Sequence, residues 1–149
     1  MVHVEASIEV NATRENVYGL WTRFEDLPRF MTGIDEVWPV TNRRLRVLGK
    51  VAGKPRRWSV QVMEDMPYER IAWQSVDGIP IAGTIHFTDS GQNKTRVLLR
   101  LDVDPTTWMG KAGANLGLLK YRMNTDLRRF KEYMETPGRM EPKRNELAH

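Results

Sequence analysis

Three histidines and no cysteine bound the chemistry open to this chain. Without thiols there is no disulfide, no thiolate nucleophile and no cysteine-ligated metal. His3 and His149 stand near the ends, so a histidine base would have to be His86, supported by Thr84 or by Asp102 on a neighbouring strand. Histidines so few do not make a histidine-rich metal site. The adjacent carboxylates Glu25-Asp26 and Glu64-Asp65 fall where a helix begins and where a strand gives way to a turn. Both places have ordinary structural explanations. No nucleophile motif, phosphate loop or dinucleotide fingerprint is present, so the sequence names no catalytic residue, and no cofactor or metal is expected. Aromatic and flexible apolar side chains are what remain. Trp21, Phe30, Trp58, Trp73 and Met123 are of types that stack on a flat ligand or mould around a greasy one, and equally of types that fill a core.

Residues 2 to 10 alternate, with Val2, Val4, Ala6, Ile8 and Val10 on one face, which predicts a half-buried strand. Asn11 and Thr13 then offer caps to a helix carrying Val17, Leu20, Trp21 and Phe24. Asp26 can cap a second, shorter helix that tolerates Pro28 in its first turn and ends near Gly33. From Ile34 to about Pro105 the chain reads as a meander of about six more strands, punctuated by turn signals at Pro67-Tyr68-Glu69, Asp77-Gly78 and Asp89-Ser90-Gly91. Its apolar phase carries Trp58, Val60, Ile71, Trp73, Ser75, Ile85 and Leu99. His86 has the opposite phase to Ile85 and Phe87, so it points away from the covered face. Beyond Pro105 the period changes. Leu116, Leu119, Met123, Leu127, Phe130 and Met134 describe one long helix over roughly 112 to 135, with Arg122, Arg128, Arg129 and Lys131 on its other sides.

The chain of 149 residues fits one domain over 1–136, with an aperiodic tail over 137–149. No apolar run is long enough for a transmembrane helix, and no signal peptide is evident; a cytoplasmic location is expected. The net charge is +4, with basic groups at Arg43-Arg44-Arg46, Lys54-Arg56-Arg57 and Arg128-Arg129-Lys131. No nucleic-acid-binding motif accompanies them, and acidic residues are interspersed, so nucleic acid is not an expected partner. A homodimer stays open.

Four strings carry a resemblance over residues 2 to about 136: "NVYGLWTRFEDLPRFMTGIDEV", "RRWSVQVMEDMPYERIAWQSVDG", "GTIHFTDSGQNKTRVLLRLDVDP" and "DLRRFKEYMET". They resemble the helix-grip proteins of the START and Bet v 1 superfamily. Within it they look like the bacterial polyketide cyclase/dehydrase-like group, which shades into coenzyme Q-binding relatives. The resemblance implies an α+β helix-grip fold. A curved antiparallel sheet of about seven strands would wrap around the long C-terminal helix, with two short helices after the first strand and a pocket between sheet and helix.

A hydrophobic small molecule, whether lipid, isoprenoid or aromatic polyketide-like, is then the expected partner. Trp21, Phe30, Trp58, Val60, Trp73, Ser75, Ile85, Leu99, Leu116, Leu119 and Met123 are the expected lining. A pocket of this kind spans about 300–1,000 Å³. Two alternatives remain: a polyketide aromatase/cyclase or dehydrase, and a protein-interaction module whose cavity is filled by its own side chains.

Overall fold

The alternation seen in the sequence becomes seven antiparallel strands. The computed structural model describes residues 2–51, 53–104 and 116–136. The strands are β1 (Val2–Val10), β2 (Ile34–Pro39), β3 (Arg44–Val51), β4 (Lys54–Met66), β5 (Arg70–Asp77), β6 (Ile81–Gly91) and β7 (Lys94–Val103). They form one sheet in the order β1-β7-β6-β5-β4-β3-β2, so each strand lies beside its sequence neighbour except β1, which pairs with β7. On every strand from β3 to β7 the apolar phase is the covered one, as Val47, Trp58, Ile71, Ile85 and Leu99 show. With the register so fixed, a slip of one residue would turn that whole set to solvent.

The sheet curves where its pairing breaks. Between β4 and β5 the register shifts at Ser59/Val60 and again at Val62/Glu64. Each shift sets an extra residue against the partner strand, which bends and twists the sheet locally. Val76 and Met63 fall at these two irregularities and are exposed. A glycine serves the curvature differently: a Cβ on Gly83 would lie 2.4 Å from Cζ2 of Trp73, so only glycine lets that indole rest on the neighbouring strand.

Between β1 and β2 run α1 (Arg14–Trp21) and a 3-10 helix over Phe24–Arg29. Thr13 caps α1, its hydroxyl accepting from the Asn16 amide at 3.2 Å. The second helix starts earlier than the sequence suggests. Asp26 is not its cap but lies inside it, buried and 3.8 Å from Arg29 Nε. Helix α1 is tied to the strand ends: Tyr18 donates to Asp65, and Arg14 donates to the Tyr68 carbonyl at 3.3 Å. Burial first, then the Asp65 hydrogen bond, pushes the Tyr18 phenol well above its ordinary pKa.

The long helix α2 (Leu116–Glu135) crosses the concave face and packs against β1. Lys131 Nζ donates to the Glu9 carbonyl at 2.9 Å and to Glu135 at 2.6 Å, while Glu135 accepts from the Asn11 amide at 2.7 Å. These bonds pin the C-terminal half of α2 to the end of β1. The fold is the helix-grip α+β arrangement. The expected start of the helix at 112 and the expected tail over 137–149 lie outside the described residues. No described helix is long and apolar enough to cross a membrane.

Candidate ligand-binding cavity

The two halves of α2 meet the sheet differently. Toward its C-terminal end, Phe130 is fully buried, with its ring centroid 5.1 Å from Trp21 and 5.0 Å from Phe30. Tyr133 extends the cluster, 6.2 Å from Phe30. Edge-to-face and tilted rings at such spacings fill space closely. Toward the N-terminal end, Leu119 and Met123 instead face a cavity of about 140 Å³.

Every described element except β1 contributes to its wall. Trp58, Val60 and Val62 come from β4, Ile71 and Trp73 from β5, and Leu99 and Leu101 from β7. The short helices supply Trp21, Phe24 and Leu27, Met31 follows from the segment leading into β2, and Ile34 begins β2 itself. Hydrocarbon and indole dominate this surface. Water over most of that surface would find few hydrogen-bond partners.

Of the residues expected to line a pocket, Trp21, Trp58, Val60, Trp73, Leu99, Leu119 and Met123 stand around one cavity. The other four do not. Phe30 is taken up by the aromatic cluster, and Ile85 is fully buried between Ile71 and Leu99 on the flanking strands. Ser75 accepts from the Ile81 amide at 3.0 Å, so its hydroxyl serves the β5–β6 turn. Leu116 packs partly buried against the core at the start of α2. The cavity is also smaller than the expected 300–1,000 Å³, because Phe30, Phe130 and Tyr133 occupy the space beneath the C-terminal half of the helix.

Three polar side chains in the wall escaped the sequence reading: Lys50, Arg122 and Asp126. Arg122 does not stay on an outer side of α2; it borders the cavity, where one guanidinium nitrogen comes 4.0 Å from the Cβ position of Gly33. Asp126 is buried beneath it, one helical turn on. Its Oδ1 accepts from the Thr32 amide at 3.2 Å and from the Thr32 hydroxyl at 3.0 Å. Burial pushes the Asp126 carboxyl above the ordinary aspartate value, against the Thr32 hydrogen bonds and the charges of Arg129 and Arg122, which pull it down. Asp126 stands three residues after Met123 and four before Phe130, inside the apolar stripe, and that spacing was the available signal.

His86 lies outside the wall, opposite Arg70 on β5 and Leu98 on β7. The carboxylate offered to it, Asp102, bonds instead to His3 across the β1–β7 pair, with Arg100 beside both. Among the described residues, no group of three or more histidine, aspartate or glutamate side chains is arranged to hold a metal ion.

Comparison with known proteins agrees with this architecture. An uncharacterized 17.2 kDa protein from the melC2-rnhH intergenic region of Streptomyces lincolnensis is 34% identical over 139 residues, 93% of either chain. A START superfamily protein from Mycobacterium smegmatis shares the fold at 18% identity and a TM-score of 0.68, over 97% of this chain and 98% of that one. The di-domain ARO/CYC protein BexL of the BE-7585A biosynthetic pathway superposes with a TM-score of 0.69 at 20% identity, covering 92% of this chain and 48% of that one. The family described as polyketide cyclase / dehydrase and lipid transport matches residues 10–132. By that match, which spans most of the chain, this protein is a member of the polyketide cyclase / dehydrase and lipid transport family.

Proposed function

We propose that this protein binds one hydrophobic small molecule per chain between the sheet and the N-terminal half of α2. The observation that carries the reading is the apolar cavity itself, about 140 Å³, walled by Trp21, Trp58 and Trp73. Protein interiors are close-packed, and an unfilled apolar void costs stability unless something occupies it. A void of about 150 Å³ admits a single aromatic ring, so the ligand, or the part of it held here, is an aromatic or isoprenoid unit of that size. Met31 and Met123 stand in the wall, where their flexible thioethers can re-pack around larger relatives.

The test is native mass spectrometry of the purified protein together with titration of single-ring aromatic and short isoprenoid compounds. One ligand per chain is the expected result. No binding by any of them would leave the cavity without a function and overturn the reading.

One observation favours a second reading, the cyclisation or dehydration of a polyketide-like chain. Asp126 is a buried carboxyl in the cavity wall whose proton affinity burial raises, the type of group that moves protons in such reactions. Turnover lost in Asp126→Asn while ligand binding persists would select the enzyme over the carrier.

A further inference from the structure

The cavity is apolar everywhere except at one corner. There the segment Met31–Ile34 passes between the end of β3 and α2, and the Lys50 amide donates to the Gly33 carbonyl at 3.0 Å. Lys50 is exposed, while Arg122 is half-buried and reaches over Gly33. Both side chains border the cavity, and neither makes a hydrogen bond or ion pair with another described residue. Several other arginines differ in this respect. Arg70 is held by Glu64, Arg46 by Ser59, and Arg129 by the Arg29 carbonyl. A guanidinium that lines an apolar cavity with no bonded partner gives up hydration without a protein bond in return. The nearby carboxylate does not fill that role: Asp126 spends Oδ1 on Thr32 and acts on Arg122 only through space.

We infer that Arg122, seconded by Lys50, receives the carboxylate of an amphipathic ligand whose apolar body fills the cavity. The inference rests on the hydrophobic-ligand reading above and narrows its ligand to acids. The planar guanidinium fork matches a carboxylate in bidentate fashion, which a lone ammonium does not. The arrangement also gives the ligand a direction. Its ring or isoprenoid end lies under Trp58 and Trp73, and its acid end lies at the corner where Lys50 meets solvent. Two cations against one buried carboxylate leave that corner positive, so an anionic head is favoured there and a cationic one is disfavoured.

The test compares phenylalkanoates carrying two to six methylene groups with their primary amides and primary amines, by calorimetric titration of the full chain. For the best-fitting length, the acid should bind about tenfold more tightly than its amide, the low end of what a charge-assisted contact supplies at a half-exposed site. The amine should bind more weakly than either. In Arg122→Gln the acid-to-amide ratio should fall to about one, and in Lys50→Gln it should fall by a smaller factor. Arg128→Gln, an exposed control on another side of α2, should keep the parent ratio. Acid and amide binding equally to the parent protein would overturn this inference while leaving the hydrophobic-ligand reading intact. So would a parent-like ratio in Arg122→Gln. Binding by none of the three series would overturn both.

Discussion

Placing a methyl group on Gly83 tests how the cavity wall is built. In Gly83→Ala the new Cβ would stand 2.4, 2.8 and 3.0 Å from Cζ2, Cε2 and Cη2 of Trp73. Carbon atoms in contact settle at about 3.5–4.0 Å, so the indole has to retreat by about an ångström. Its retreat is into the space it borders, which is the cavity. Overpacking of this kind costs about 1–3 kcal/mol. Replacing a strand glycine with alanine returns about 0.5–1 kcal/mol of backbone entropy. The net loss is then about 0–2.5 kcal/mol, or up to roughly 8 °C in Tm for a chain of this length. In a Trp73→Leu background the ring is gone, and Gly83→Ala should be neutral or slightly stabilising. Thermal unfolding of the four proteins closes a double-mutant cycle with a coupling of about 1–3 kcal/mol. Toluene affinity should fall in the single variant, because the displaced indole takes up ligand space. If the two changes simply add, within about 0.5 kcal/mol, the indole does not rest on Gly83 and this account of the wall is refuted.

Phe130→Ala should cost about 3–5 kcal/mol, since the ring is fully buried against Trp21 and Phe30. Met123→Ala should cost less, about 1–2 kcal/mol, because part of its side chain already faces the cavity, and should shift ligand preference toward bulkier compounds. Urea denaturation and binding isotherms check both; equal large losses with no ligand effect would mean that the cavity is closed in solution. Asp126 supplies a pH test. Its folded pKa lies above its unfolded value, so between the two the native state holds more protons and stability falls as pH rises through that window, levelling off above the folded pKa. Asp126→Asn keeps an oxygen acceptor for Thr32 and removes the buried charge, so its stability advantage over the parent should grow from acid toward neutral pH. The growth amounts to about 1.4 kcal/mol for each tenfold difference in proton affinity between the folded and unfolded chains. Parallel Tm curves across that range would sink the assignment.

The sheet was legible because its strands alternate strictly and only one face is covered. Trp58, Trp73, Ile85 and Leu99 could be assigned to the concave side from parity alone. The bulges beside Met63 and Val76 were not legible, because an irregular pairing depends on the partner strand and leaves no local mark. The helix stripe predicted Met123, Leu127 and Phe130 correctly but hid the polar members of the wall. A reading that sends charged residues outward discards Arg122 and Asp126 at once, although Asp126 falls within the stripe by spacing. Periodicity likewise tells which side chains face inward but not which of those touch one another. That is why Phe30 and Ile85 lie in closed packing while their neighbours in phase border open space. Ser75 shows a further limit: its hydroxyl was visible, and its use by the Ile81 amide was not.

Entry of an apolar molecule into this cavity can be followed at the methionine methyl groups. Met31 and Met123 border the cavity, whereas Met63 stands exposed on the other face of the sheet. The protein should be labelled with ¹³C at the methionine ε-methyls and titrated with toluene, followed by two-dimensional NMR. Saturable shifts are expected at Met31 and Met123 with one toluene per chain, driven by the ring of the bound molecule, and no change at Met63. Unchanged Met31 and Met123 resonances at saturating toluene, or shifts confined to Met63, would contradict entry into the cavity.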